Sequence, residues 1–189
     1  MDEAVLSFRC RLSALEREAV WRLTPDALER AEDGGGAQRF AYRDAIEVRL
    51  SFAPTRFDTR RYRCDVRLPS AAATIASTSY AGLASFEDRA GAYTPFVRAL
   101  VARIAQAAPA CAFLAGKRPL AYWAEHIFLL SMLLLAALVI EAVAGVPLSA
   151  IVAIKLGIIA AYLPLAVKYG RRNWPRRFSP DSIPPEVLP

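Results

Sequence analysis

At 189 residues the chain has room for one ordinary domain and a short appendix, not for two large domains. A hydrophobic share of 55% beside 22% charged residues, with a mean hydropathy of +0.26, requires the two populations to be segregated along the chain. The net charge of +6 is segregated too: residues 1–115 carry +2, residues 116–178 carry +6 and the remainder −2, so the basic excess flanks an apolar block and argues against a nucleic-acid surface.

The N-terminal "MDEAVLSFRC" is acidic and has no apolar h-region, so no cleavable signal peptide is expected. Cys10, Cys64 and Cys111 are widely spaced and form no C-x-x-C pair, which argues against a zinc site or a disulfide framework and suits a reducing compartment.

Period-two alternation then marks strands. "LSFRCRLS" places Leu6, Phe8, Cys10 and Leu12 on one face. "AVWRLT", "ALERAE" and "QRFAY" are weaker strand candidates, with "EDGGGAQ" as a hairpin loop between two of them by its glycine content. "IEVRLSFA" alternates Ile46, Val48, Leu50 and Phe52 with Glu47, Arg49, Ser51 and Ala53, and "RYRCDVRL" alternates Tyr62, Cys64, Val66 and Leu68 with Arg61, Arg63, Asp65 and Arg67. Both patterns predict a sheet with one face on a core and the other in water. "ATIAST" is a further short strand, giving about seven.

A helix closes the domain. Tyr93, Phe96, Val97, Leu100, Val101 and Ile104 follow helical spacing and form a stripe able to cover an open sheet end. It begins either at Thr94–Pro95, as N-cap and first helical residue, or near Ser85 with Asp88 completing a capping box. Residues 1–110 therefore read as an α+β domain of about seven antiparallel strands plus one C-terminal helix, and residues 111–122 as an interfacial linker.

From Ala124 to Val167 the chain is apolar over about twice the ~20 residues that one membrane crossing needs. "AGVPLS" (Ala144 to Ser149) punctuates it, predicting a two-helix transmembrane hairpin over 123–168. Lys117 and Arg118 precede the block, and Lys168, Arg171, Arg172, Arg176 and Arg177 follow it. By the positive-inside rule both ends face the cytoplasm, as in a multi-pass inner-membrane protein. Tyr122, Trp123, Tyr169 and Trp174 would form an interfacial aromatic belt. Glu141 and Lys155 are expected in the outward half of the bilayer, either as a compensating pair across the hairpin, as two side chains snorkelling outward, or as an ion or proton site. Ala153, Gly157 and Ala161 recur at four-residue spacing and let a helix approach closely: the first helix of the hairpin, a second copy in a homo-oligomer, or another protein. Residues 169–189 are a basic, Pro-rich tail expected to be extended and able to serve as a docking peptide.

The stretch "WRLTPDALERAEDGGGAQRFAYRDAIEVRL" resembles the opening of bacterial pleckstrin-homology-like membrane proteins, with an aromatic-x-Leu-Thr strand, a return strand, a glycine turn and "F-A-Y-R-D-A-I-x-V-x-L". The resemblance implies a PH-like barrel and transfers no catalytic residue.

Motifs for chemistry are absent: no phosphate-binding, dinucleotide-binding or nucleophile-elbow pattern occurs, and His126 is the single histidine. Glu87, Asp88 and Arg89 are expected as helix-start residues. No metal site, no cofactor and no enzymatic activity are expected. The remaining candidates are Arg56, Arg60, Arg61 and Arg63, with Arg67 beside them, as a site for an anionic lipid headgroup or a protein partner, or else an ordinary solvated strand face. The expectation is a non-enzymatic module, anchored in the lipid bilayer, that binds a membrane or cytoplasmic protein partner and no nucleic acid. The alternative is an accessory subunit of a membrane transport complex acting through the hairpin.

Overall fold

The computed structural model describes residues 6–32, 35–83, 85–124 and 169–189, with isolated positions between 127 and 167. The chain divides into two compact units, Met1–Gly116 with Arg176–Pro189, and Lys117–Pro175.

The first unit is built mostly of strands. A four-stranded antiparallel sheet runs in the order β1 (Ser7–Cys10), β2 (Ala19–Leu23), β3 (Ala27–Glu32), β4 (Gln38–Ala41). A 3₁₀ turn at Tyr42–Asp44 leads into the second sheet, ordered β11 (Arg176–Arg177), β10 (Ala112–Ala115), β5 (Glu47–Phe52), β6 (Tyr62–Arg67), β7 (Ala72–Ala76). A separate hairpin pairs β8 (Thr78–Gly82) with β9 (Ser85–Asp88). The helix α1 spans Ala90–Ala107.

All six residues of the predicted helical stripe, Tyr93, Phe96, Val97, Leu100, Val101 and Ile104, are buried. They meet Phe8, whose ring lies 5.5 Å from that of Phe96 and 5.9 Å from that of Tyr93. The inward residues of the strands complete the core: Trp21, Leu23 and Leu28 from the first sheet, Val48, Leu50, Cys64, Val66 and Ile75 from the second. The helix starts at neither predicted place. Ser85–Asp88 is a strand, and the Asp88 side chain accepts a hydrogen bond from the Ala90 N–H at 2.8 Å, so it still serves the helix start; Pro95 lies inside the helix.

The expected fold class is corrected. In place of about seven antiparallel strands ended by a helix, the described residues hold eleven strands in three sheets, and α1 is followed by two more strands. β10 pairs in parallel with β5, Phe113 opposite Val48, and β11 pairs antiparallel with β10. Local alternation names a strand's faces but not its neighbours, and strands as short as "SFED" or "RR" carry no alternation to read.

The tail is folded, not extended. Phe178 packs on Phe113 at 5.9 Å between ring centroids, Arg176 pairs with Glu186 at 2.6 Å, and Val187 and Leu188 are buried. The 3₁₀ turn Pro185–Val187 packs against β5. Arg49 and Ser51, expected in water, are accordingly buried, so β5 is covered on both faces. Arg49 donates to Glu47 Oε1 at 3.0 Å and to the Gly116 carbonyl at 3.4 Å. Gly116 has φ of +83°, a left-handed conformation that lets its N–H reach the Leu50 carbonyl.

The transmembrane expectation is also corrected. Among the described residues no helix is long and apolar enough to cross a membrane, so the two-helix hairpin over 123–168 and the multi-pass inner-membrane placement that rested on it are not supported. An apolar run of the right length is a necessary condition for crossing and not a sufficient one. In the second unit residues 119–124 and 169–173 are helical, and the Lys117 N–H donates to the Asn173 carbonyl at 3.1 Å. Tyr122, Trp123 and Trp174 pack edge to face at 5.6, 5.7 and 6.5 Å, and the Lys117 ammonium lies 5.2 Å from the Tyr169 ring centroid.

Candidate functional site

The predicted arginine site falls on the loop between β5 and β6. Its neck is closed by the Ala53 N–H donating to the Arg61 carbonyl at 2.9 Å. Within it, the Thr55 N–H donates to the Asp58 carbonyl at 2.7 Å and the Asp58 N–H to Thr55 Oγ1 at 3.0 Å. Asp58 is buried, and its carboxylate accepts from the Arg60 N–H at 3.2 Å and from the Thr78 hydroxyl. Short polar side chains bonding to main chain two or three residues away are what hold such a turn in one conformation.

This anchor sorts the four arginines. Arg56 and Arg60 are exposed, and among the described residues neither has a carboxylate within ion-pair distance. The Arg56 guanidinium lies 5.8 Å from the ring centroid of Phe57, itself 63% exposed. Arg61 is half-buried, with its Nε out of solvent. Arg63 lies on the sheet face, donating to Asp65 at 2.7 Å and Thr74 at 3.3 Å, so its charge is already matched. The site therefore comprises Arg56, Phe57 and Arg60, held by Asp58. Sequence reasoning missed Phe57, although an aromatic between turn residues was visible in "APTRFDTRR". The Asp58 carboxylate among them is turned inward, to the Arg60 N–H and the Thr78 hydroxyl.

At the other end of β6 lies a cleft of about 710 Å³ lined by the β2–β3 turn, β4, the Tyr42–Asp44 turn and the β6–β7 turn. Arg39 and Asp26 form an ion pair along it at 2.5 Å. Beneath it the Tyr42 hydroxyl donates to the Thr24 carbonyl at 3.1 Å, and Arg103 donates to the same oxygen at 2.6 Å. Burial pushes the Tyr42 hydroxyl up to about 12.

Glu141, Lys155, Ala153 and Ala161 lie outside the described residues, as do Glu125 and His126; Gly157 is helical and exposed. The three cysteines are free and buried, and burial pushes the Cys10 and Cys64 thiols above their ordinary value and that of Cys111 up to about 11. Such thiols are poor nucleophiles because the thiolate is the reactive form. Among the described residues no group of three or more His, Cys, Asp or Glu could hold a metal ion.

Comparison with family models, with curated proteins and with solved structures finds no match. None of them bears on the pleckstrin-homology-like resemblance.

Proposed function

We propose that the unit formed by Met1–Gly116 and Arg176–Pro189 is a non-enzymatic binding module that takes a protein partner on its β5–β6 loop. The observation that carries this is the loop's construction: Asp58 and Thr55 satisfy its main chain internally while Arg56, Phe57 and Arg60 project outward. Arginine and aromatic residues dominate the energetics of protein interfaces, and a loop already held in one conformation loses little entropy on binding. The two guanidinium groups favour an acidic patch on the partner, with Phe57 entering an apolar pocket beside it.

A photo-crosslinking amino acid at position 57 of the full chain tests this in cells. The expected product is a discrete protein adduct that disappears when Arg56 and Arg60 are both changed to Ser. Adducts only to lipid, or a protein adduct indifferent to both changes, would contradict the proposal.

A further inference from the structure

The cleft end of β6 offers a different kind of surface. β4 is the outermost strand of its sheet. Its register against β3 sets Phe40 opposite Leu28 and Ala41 opposite Ala27, and the Tyr42 N–H donates to the Asp26 carbonyl at 3.0 Å. In an antiparallel pair bonded and non-bonded positions alternate, so Gln38, Phe40 and Tyr42 turn their main-chain groups toward β3. Arg39 and Ala41 turn theirs away from it. The Ala41 C=O is the N-cap carbonyl of the Tyr42–Asp44 3₁₀ turn and accepts that turn's first bond, while among the described residues no partner meets the outward Arg39 N–H and C=O or the Ala41 N–H. Arg39, Phe40 and Ala41 line the cleft, and its facing wall is Leu68, Pro69 and Ala71.

The Arg39 N–H and C=O and the Ala41 N–H, set at strand spacing, match another extended main chain. We infer that the β4 edge and its cleft bind an extended peptide segment of a protein partner, which adds as a fifth strand to the first sheet and carries a carboxylate toward Arg43. The side chains at the cleft point to that charge. Arg39 is already matched by Asp26. Arg43, its side chain 82% exposed, meets a carboxylate among the described residues only at Asp44, 3.8 Å away and beyond hydrogen-bond distance. A guanidinium so placed has donors to spare for an incoming carboxylate. The small apolar wall of Leu68, Pro69 and Ala71 accommodates alternate side chains of the added strand. This surface is separate from the β5–β6 loop and stands or falls independently of it.

Ala41 makes the inference testable with one substitution. Its φ is −66° with ψ of 131°, the conformation that proline imposes, and its N–H points away from β3. Ala41→Pro therefore leaves the sheet's own ladder intact and removes only the outward donor. The probe is a phage-displayed library of random hexapeptides selected on the full chain. The expected result is enrichment of sequences alternating β-branched or apolar residues with a carboxylate at one end. Ala41→Pro should bind the selected peptides about tenfold more weakly or worse, with an unchanged melting temperature. Arg43→Glu should weaken them by about tenfold as well, and Arg43→Lys should restore part of the loss. Hydrogen exchange provides a readout that needs no variant: bound peptide should slow the Arg39 and Ala41 amides while leaving Phe40 unchanged. Failure to enrich any sequence, equal binding to wild type and Ala41→Pro, or unslowed exchange at Arg39 and Ala41 would each overturn the inference.

Discussion

The two ends of β6 satisfy their polar groups in opposite ways. At the β5–β6 loop the main chain is closed internally, through Thr55, Asp58 and Thr78, and the side chains of Arg56, Phe57 and Arg60 are left over. At the β4 edge the side chain of Arg39 is matched by Asp26 and the main chain is left over. As proposed, the first arrangement recognises charge and shape, so its binding should weaken as salt rises. The second, as inferred, recognises an extended backbone, should tolerate many sequences and should depend on salt only through Arg43. One small core thus carries two surfaces that differ in which half of the polypeptide they offer.

The largest effect on this contrast is expected at Asp58. Asp58→Ala removes an acceptor of charge-assisted bonds from the Thr78 hydroxyl and the Arg60 N–H and leaves both without it. A loss of about 2 kcal/mol in urea unfolding should result, together with loss of the loop's binding, while Arg39 and Ala41 keep their exchange behaviour. A change of less than about 0.5 kcal/mol would show that the carboxylate does not hold the loop.

Alkaline pH acts on the cleft side and on the core. Burial raises the hydroxyl of Tyr42 from 10.0 to about 12, the hydroxyl of Tyr93 well above 10.0, and the Cys64 thiol above 9.0. Below pH 9 these groups are protonated in both folded and unfolded chains, and their contribution is fully present. Above pH 9 to 10 the unfolded chain ionises first and binds fewer protons, so stability falls as pH rises toward the folded values. Each group ionised only in the unfolded state costs up to about 1.4 kcal/mol per pH unit. Urea midpoints between pH 8 and pH 11 should decline with a break near pH 9 to 10, and a flat profile would contradict the burial of these groups.

The smallest effect is a control away from both surfaces. Leu83 stands fully exposed in the β8–β9 turn with φ of +31°, a conformation that costs a branched side chain about 1 kcal/mol. Leu83→Gly should stabilise the chain by about 0.5 kcal/mol and alter neither surface. Destabilisation would mean that the leucine makes contacts the turn needs.

Much of this architecture is legible locally. The stripe from Tyr93 to Ile104 is buried as its spacing predicts, because helical amphipathicity is a property of one contiguous segment. The strands within "AVWRLT", "ALERAE", "QRFAY", "RYRCDVRL" and "ATIAST" form for the same reason. What escapes is whatever depends on a distant partner. Arg49 and Ser51 look solvent-facing by alternation, yet β5 is covered by a tail that returns some 130 residues later, where Val187 and Leu188 are buried in the same unit. The apolar block between 124 and 167 meets the length rule for a crossing, yet among the described residues no helix is long and apolar enough to cross. Of the four arginines, Arg56 and Arg60 are the exposed ones without a carboxylate among the described residues, because the pairing of Arg63 with Asp65 and the partial burial of Arg61 are tertiary facts. The free edge of β4 was invisible for a related reason: alternation identifies strands and leaves their order open.

The contrast between the two ends rests on where main-chain donors are satisfied, and hydrogen exchange of the free full chain reads that directly. The Arg60 amide, which donates to Asp58, should be protected, whereas the Arg39 and Ala41 amides should exchange at least about tenfold faster than the neighbouring Phe40 amide bonded to β3. Protected amides at Arg39 and Ala41, or an unprotected Arg60, would contradict the account.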